Sequence, residues 1–519
     1  MNNSKCTVIH KIEKYVFFVL ILSIPFTDFS INIPLVGYYL PHLFILLGVC
    51  LIIFEKIKYN FQYSCLEKYF CIFWGITFIW YTISNLHGFF TYSFFDPSHW
   101  SDLKEVLFLE KYFSDFFYRN NNIAISMAAS LYFIRMSFME CLYFCGGTFL
   151  AIHIYQNYSK KGFNDFEKSV TVLVIAIIFY SVIEIPALMG NELCKSFLST
   201  INHCIMSVNH IDGTWPPEFW PLQVRSIFTE PSFFGLGAAA LFPFLLHWSI
   251  FYDQRAKLVN FREIIIFAYI LLAFATRSRT TTVMVLTESA LFVFLSLGIR
   301  ALDLKKLLKV ILSIIIAFFI SLPMMSMFSG TWYDRNDNKN SITSMADNYV
   351  EDNITSVVDG SKGGQKRSNS IRTTLNKAYT YVGIAHPILG VGFGMTAYYV
   401  DKNISDTDAK NNELEIDSKN LHEKGERKAG FPILNYFAYQ FATYGFIGLL
   451  LYLLPICYVL FYVLRNIKKL CMEEITLLTA LLGSVASCFS NAPLVSIYII
   501  TGLLSCFIYN NCIKIGTKV

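Results

Sequence analysis

The sequence predicts an all-α polytopic membrane protein of about 12 transmembrane helices, with one large loop outside the membrane between helices 9 and 10. Three observations predict it. Of the 519 residues 55% are hydrophobic and 15% are charged, against about 25% charged in a soluble domain. The apolar residues gather in runs close to the ~20 residues that cross a hydrocarbon core. Positive charge is sorted to one side of those runs. This composition excludes a soluble enzyme and a disordered scaffold, and the net charge of +5 is too small for binding nucleic acid through a basic field.

In chain order the expected spans lie near 14–29, 36–54, 69–86, 136–156, 169–189, 231–252, 263–276, 280–299, 307–326, 444–464, 475–491 and 495–512. Each is apolar around its whole circumference, as a lipid-embedded helix must be. The first follows Lys5, Lys11 and Lys14 like a signal peptide, but no small-x-small site follows, so it is expected to remain as a span. Residues 122–134 read as an added interfacial helix running into the fourth span. With the N-terminus in the cytoplasm, segments 1–14, 55–68, 157–168, 253–263, 300–309, 465–474 and 513–519 carry 21 Lys+Arg against 10 Asp+Glu. The 327–430 loop on the other side carries 13 against 14. The positive-inside rule then places both termini in the cytoplasm. The chain divides into 1–326 (helices 1–9, with outward loops near 87–121 and 190–230), the 327–430 loop, and 431–519 (helices 10–12). A connection as long as 327–430 is commonly functional.

The 13 cysteines form no CxxC pair, the histidines show no metal-ligand spacing, and there is neither a Walker lysine loop nor a nucleophile elbow. No metal and no cofactor are therefore expected. Cys194 and Cys204 share an outward loop, where a disulfide and two free thiols both fit.

Arginine carries the functional signal, because its planar fork of donors grips phosphate oxygens and its charge is costly near lipid. Arg225 precedes the sixth span in Arg225-Ser-Ile-Phe-Thr-Glu230-Pro231-Ser232. Arg277 and Arg279 occupy the tight turn between the seventh and eighth spans, and Arg372 stands in the large loop. All face outward. One such residue reads as a snorkelling interfacial cation; three clusters on one face suit a lipid-linked phosphate or pyrophosphate. Glu230, at the start of a helix, is a cap or a carboxylate that orients Arg225 or accepts a proton from an acceptor hydroxyl. Glu184, near an outward helix end, is a second carboxylate of interest. Glu288 and the pair Arg135 and Glu140 also lie in spans, the pair being able to neutralise itself.

Gly390, Gly392 and Gly394 fit close backbone approach at a turn better than a nucleotide loop. Asp406-Thr407-Asp408 reads as a solvated charge run. His386 and His422 are more often structural than catalytic, and Trp215 and Trp220 suit either sugar stacking or interfacial anchoring.

Over roughly 220–455 the sequence resembles the O-antigen polymerase and ligase superfamily. The resemblance rests on Arg225 with Glu230-Pro231-Ser232 and Gly235, on Thr276-Arg277-Ser278-Arg279, and on Arg372 with its Arg-x10-Gly spacing to Gly383. It continues through the Pro387–Gly394 run, Asn435-Tyr436 and Tyr444-Gly445-Phe446-Ile447-Gly448. It implies a glycosyltransferase C-like membrane fold in the bacterial inner membrane, with the large loop in the periplasm and no metal or nucleotide sugar. The implied donor is a glycan on undecaprenyl pyrophosphate, with a flippase and a chain-length regulator as partners. Arg225, Glu230 and Arg372 are implied to be catalytic, and Arg277, Arg279, Glu184, Tyr379, His386 and Asn435 to bind substrate. Ligases of the superfamily carry a His-Asn pair where this sequence reads Leu434-Asn435, which favours a polymerase; His422 filling that place in space would favour a ligase. A lipid-linked oligosaccharide transporter is the rival class, disfavoured by the long outward loops and the absence of an internal repeat.

Overall fold

The computed structural model describes residues 3–33, 36–59, 62–114, 122–158, 161–207, 217–220, 222–251, 261–298, 304–328, 346–347, 349–355, 366–405, 411–467 and 470–516. Its helices are α1 Asn3–Leu22, α2 Leu40–Tyr59, α3 Cys65–Phe90, α4 Lys104–Tyr112, α5 Asn122–Cys141, α6 Gly147–Tyr158, α7 Lys161–Leu188, α8 Glu192–Ile205 and α9 Pro231–Phe251. They continue with α10 Phe261–Ala275, α11 Arg279–Gly298, α12 Leu304–Ser326, α13 Lys366–Ala385, α14 Thr396–Lys402, α15 Asn412–Lys424, α16 Tyr436–Arg465, α17 Met472–Ser487 and α18 Ser496–Gly516. Among the described residues there is no β-strand, only the isolated bridge Ile33–Gly37.

Among the described residues eight stretches are long and apolar enough to cross a membrane: α2, α3, the continuous α5–α6 rod, α7, α9, α11, α12 and α16. The remaining four expected spans fall on α1, α10, α17 and α18, which are shorter in their apolar part or, in α1, interrupted by charge. The chain is an all-α polytopic membrane protein. The stripe Ile72, Ile76, Ile79 and Ile83 of α3 is exposed, while Thr77, Tyr81, Ser84 and Gly88 on its other face are buried. A helix that turns isoleucine outward and hydroxyls inward is surrounded by lipid, not water.

Three expectations are corrected by the fold. Residues 122–134 are not a separate interfacial helix but the first half of a rod that reaches Tyr158, with a π-turn at Leu142–Gly146. Arg135 does not pair with Glu140: its Nε lies 2.9 Å from Glu105 Oε1 of α4. Cys194 and Cys204 stand on one helix and are free thiols. Ten residues of helix separate their Cα atoms by about 15 Å, twice the reach of a disulfide. Trp215 and Asp406-Thr407-Asp408 lie outside the described residues.

The segments between α3 and α5 and those after α13 pack into a cap. Phe89, Trp100, Leu103 and Val106 bury against Phe133 and Met395. Trp100 Nε1 donates to Glu426 Oε1 at 2.9 Å, and Arg427 pairs with Asp102. The cap is keyed to the bundle where α16 breaks at Gly445 (φ 69°). The break frees the carbonyls of Ala442 and Thr443, and these accept from Val391 and Gly392 N–H at 2.9 Å each, while Phe446 N–H donates to the Pro387 carbonyl at 2.7 Å. Backbone groups at this depth must find protein partners, and the Pro387–Gly394 turn supplies them. Close approach sets the residue type: a Cβ on Gly445 would collide with the Ile388 carbonyl, and one on Gly390 (φ +67°) with the Thr443 carbonyl. The glycine run is thus a docking turn, as its spacing suggested.

Gly445→Ala therefore combines a left-handed backbone with a main-chain clash, and is expected to destabilise by more than about 1 kcal/mol. Gly75→Ala in α3, where the added methyl meets nothing within 4 Å, is expected to be neutral. Thermal melting of the two variants in detergent checks both; equal melting temperatures would remove the docking role of Gly445.

Candidate functional site

The site forms where several helix ends meet at the end of the bundle under the cap. The segment 222–230 is held across the start of α9 by Val224 N–H to the Ala275 carbonyl, 3.1 Å, at the C-terminus of α10. Next to it the turn Thr276–Ser278 leads into α11, with Ser278 N–H capped by Thr276 Oγ1 at 3.1 Å. The first turns of α9 and α11 touch, because a Cβ on Gly235 would strike the Thr281 backbone. Three non-glycine residues among those described have positive φ, namely Leu222 (62°), Ser226 (56°) and Arg277 (48°). All three lie in these two segments. Strain of order 1–3 kcal/mol persists where surrounding structure over-determines it, and it gathers at functional sites.

From the cap, α13 lays its first turns over this junction. Arg372 Nη1 donates to the Ser490 carbonyl at 2.7 Å and to Ser490 Oγ at 3.2 Å, and Ser490 Oγ lies 3.3 Å from Thr280 Oγ1. One turn earlier on α13, Asn369 Oδ1 accepts from Arg279 Nη1 at 2.6 Å. Glu230 takes the Ser232 hydroxyl and lies within electrostatic reach of Arg372. Burial pushes the Glu230 carboxyl above its usual range, against the opposing effects of that hydroxyl and of Arg372. Arg372 is pressed below its usual basicity by burial and by the Arg279 cation, with Glu230 acting the other way. Half-buried Arg372 thus stands between a second guanidinium, Arg279, and the Glu230 carboxylate. Arg277 lies within electrostatic reach of the Tyr349 hydroxyl, which is 2.7 Å from Thr282 Oγ1.

Asn435 caps α16, accepting from Phe437 and Ala438 N–H at 3.1 and 3.2 Å, and the next residue donates to the Cys488 carbonyl at 2.8 Å. This brings the α16 N-terminus within two residues of Ser490. The N-termini of α9, α11 and α16 therefore meet, each with the positive end of its dipole, although the first N–H groups of α16 are already taken by Asn435 and the Cys488 carbonyl. Such ends favour anions.

The other expected site residues stand elsewhere. Arg225 is 1% exposed. Its guanidinium donates to the carbonyls of Glu218 (2.7 Å), Thr229 (3.4 Å) and Phe228 (3.5 Å), and meets Met206 Sδ at 2.9 Å. Glu184, also buried, accepts from the main-chain N–H of Arg225 (3.1 Å) and Ser226 (2.9 Å). Together they fasten the strained 222–230 segment rather than face an open recess. Trp220 is part of the same fastening, its Nε1 donating to the Thr229 carbonyl at 2.9 Å. Tyr379 is buried in the cap, donating to the Phe431 carbonyl at 3.2 Å. His386 packs its ring on Tyr399 at 5.2 Å at the far end of α13. His422 is exposed, pairs with Asp401 at 3.0 Å, and stands against Tyr398 rather than beside Asn435. Glu288 is buried deep in α11, against Gly483 of α17. Ser490, Asn369 and Tyr349 were missed by sequence reasoning: Ser490-Asn491-Ala492-Pro493 signals a turn, but nothing local says that the turn meets α13.

No curated protein matches the chain. A family model described as O-antigen ligase matches residues 264–453, from the start of α10 to the middle of α16, a region that holds Arg277, Arg279, Arg372, Tyr379, His386 and Asn435. That match supports membership of the O-antigen polymerase and ligase superfamily, whose members are glycosyltransferase-like membrane enzymes.

Proposed function

We propose that this chain is a polymerase of O-antigen or a related surface polysaccharide, transferring a growing glycan from undecaprenyl pyrophosphate to the next lipid-linked repeat unit. The single observation that supports the reading is that Arg372, from the cap, is held within electrostatic reach both of Arg279, at the start of α11, and of Glu230. Like-charged groups held together at a membrane-embedded helix junction call for an anion, and a pyrophosphate at the lipid surface is one of the right charge. Residues 21 basic to 10 acidic on the opposite side support a periplasmic face for this end, with both termini in the cytoplasm of a bacterial inner membrane.

In this mechanism the acceptor hydroxyl oxygen attacks the anomeric carbon of the donor sugar. The bond from that carbon to the pyrophosphate oxygen breaks, and the electron pair leaves with the pyrophosphate. Arg372 and Arg279 stabilise the charge that develops there; cations preorganised for such charge are usually the largest catalytic term. Arg277 adds to the field at the edge of the recess. Glu230 accepts the proton of the acceptor hydroxyl, a task suited to a carboxyl whose affinity for protons is raised by burial. Arg225 and Glu184 act as positioning residues, holding the segment that carries Glu230. Tyr379 and Asn435 keep α13 and α16 in register, and His386, with the tyrosines near it, suits contact with the glycan.

A ligase is the second reading, favoured by the description of the matching family model. Leu434 before Asn435, and His422 placed on Asp401, support the polymerase instead. Deleting the gene and restoring it in its own host separates the two on a lipopolysaccharide gel. A core with a single repeat unit is expected. A core with none, and polymer held on its lipid carrier, would select the ligase.

Arg372→Ala and Arg279→Ala are each expected to lower elongation about 10²–10³-fold while the protein still accumulates. Arg225→Ala is expected to lower the amount of folded protein as well, because it leaves buried carbonyls without a donor. Membrane content beside ladder length checks this, and full-length ladders from both Arg372→Ala and Arg279→Ala would refute the anion site.

Glu230 works as a base only when ionised, so activity should fall as pH drops through its raised pKa, above the ordinary carboxylate range. Glu230→Gln is expected to remove that acid limb and lower the rate by about 10²–10⁴. Arg372→Ala, by removing a charge that favours ionised Glu230, should move the limb to higher pH in the residual activity. An in vitro polymerisation assay across pH measures both, and an unchanged limb in Glu230→Gln would assign the proton to another group.

A further inference from the structure

The 327–430 connection carries 13 Lys+Arg and 14 Asp+Glu, yet between Lys377 and Asp401 the chain has none of either. This uncharged stretch holds the second half of α13 and the Pro387–Gly394 turn. Along α13 one face, Ile371, Leu375, Ala378 and Val382, is buried in a cluster with Leu414 and Leu421 of the cap. The opposite face changes character as the helix proceeds. It is exposed first at Thr373, Lys377 and Thr380, then at Tyr381, Ile384 and, past the helix end, Ile388. The last three are 55%, 61% and 62% exposed, and nothing in the glycosyl transfer uses them.

A helix face that passes from polar to apolar through a tyrosine has the form of one crossing from headgroups into hydrocarbon. A lysine one turn before the tyrosine can reach back to the interface. Two neighbours fix the depth. Phe446 N–H donates to the Pro387 carbonyl at 2.7 Å, and Phe446, Leu450 and Leu454 form an exposed apolar stripe on the spanning helix α16. On the side of α3, a Cβ on Gly88 would strike the Val391 carbonyl, and Ile83, little more than a turn before Gly88, belongs to the lipid-facing stripe of that helix. The turn that carries Ile388 therefore lies against two helices that already face hydrocarbon.

The main chain of the turn is satisfied in the way lipid requires. The N–H groups of Gly390, Val391, Gly392 and Phe393 donate to the carbonyls of His386, Ala442 and Thr443 and to Asn85 Oδ1, at 3.0, 2.9, 2.9 and 2.6 Å. The Leu389 carbonyl accepts from Ser84 Oγ. His386, the one ring nitrogen group in the uncharged stretch, packs on Tyr399 of the cap.

We propose that Tyr381, Ile384 and Ile388 lie in the membrane leaflet at the cap end and contact phospholipid acyl chains, so that α13 dips into lipid although it belongs to a loop between spans. Lipid fits this face better than a partner protein does. A protein interface carries a polar rim around an apolar centre, whereas the polar residues on this face of α13 stand at one end only and the apolar ones continue the stripes of α3 and α16. α13 is then held at both ends, by Arg372 on Ser490 at one and by hydrocarbon at the other. Ile384 is 12 residues from Arg372, about 18 Å at helical rise.

The test places the photoreactive residue benzoylphenylalanine at position 384, or at 388, of the full chain, irradiates native membranes and weighs the cross-linked peptides. Position 83 of α3 is the lipid-facing reference. Position 419 of α15, where the Lys419 side chain is 73% exposed, is the water-facing one. Phospholipid adducts are expected from 384 and 388 at the level seen from 83, and none from 419. If the probe at 388 disturbs the turn and lowers accumulation, 384 carries the comparison. Cross-links from 384 to another protein or to a second copy in place of lipid would overturn the proposal, as would the absence of a lipid adduct at 384 in membranes where 83 gives one.

Discussion

Two guanidiniums held near one another at the mouth of a lipid-embedded bundle set the terms for everything around them. Arg279 opens a membrane helix and Arg372 belongs to the cap, and the Arg279 cation, with burial, presses Arg372 below its usual basicity. The bonds that fix them are made to neutral groups, the Ser490 carbonyl and hydroxyl and the Asn369 amide oxygen. Neutral acceptors orient a guanidinium without cancelling its charge, so the recess keeps a positive field. A carboxylate in their place would have produced an ion pair of little use to an anionic ligand. The helix N-termini that meet there add to the same field, and Glu230 is a carboxylate within electrostatic reach of Arg372.

The contrast with Arg225 shows how burial separates two uses of one residue type. Arg225 also meets neutral carbonyls, but they enclose its guanidinium and no recess remains. Its main chain and that of Ser226 are held by Glu184, so charge on one side and hydrogen bonds on the other lock a segment whose backbone is strained at Leu222 and Ser226. That lock fixes where Glu230 enters α9. An arginine on the sequence motif can therefore be indispensable without touching a ligand, and its loss is expected in folding before chemistry.

The membrane fold was legible because lipid imposes a simple rule on composition: spans near the required length had to be apolar, and the helices lie where those runs do. The signals for Arg277, Arg279, Arg372 and Glu230 were legible too, since charge at the end of an apolar run is costly and stands out. Partnership was not legible. The Arg372–Ser490 contact spans 118 residues and the Arg279–Asn369 contact 90, and neither serine nor asparagine is unusual in a polar turn. Arg135 shows the converse error, where proximity in sequence suggested Glu140 but the helix α4 brought Glu105. The glycines of 390–394 were read correctly as a turn of close approach, yet their partner, the break at Gly445, became visible only when the freed carbonyls of α16 were traced to their donors.

The two ends of the bundle solve opposite electrostatic problems with the same helices. At the cap end α9 and α11 present N-termini and arginines, and the excess is positive. At the other end Glu13, Glu55 and Glu67, from α1, α2 and α3, pair with His10 and His153. α7 runs between them, fastened to α1 by Lys14 and Asp165 and to the 222–230 segment by Glu184. A lipid-embedded bundle has no water to dissipate such charge, so each end must be neutralised by its own partners. At the cap end a ligand that arrives and leaves can do this and be transformed in the process. At the far end the glutamate–histidine pairs are internal, and with the Lys14–Asp165 bridge they leave α7 and its neighbours a fixed base.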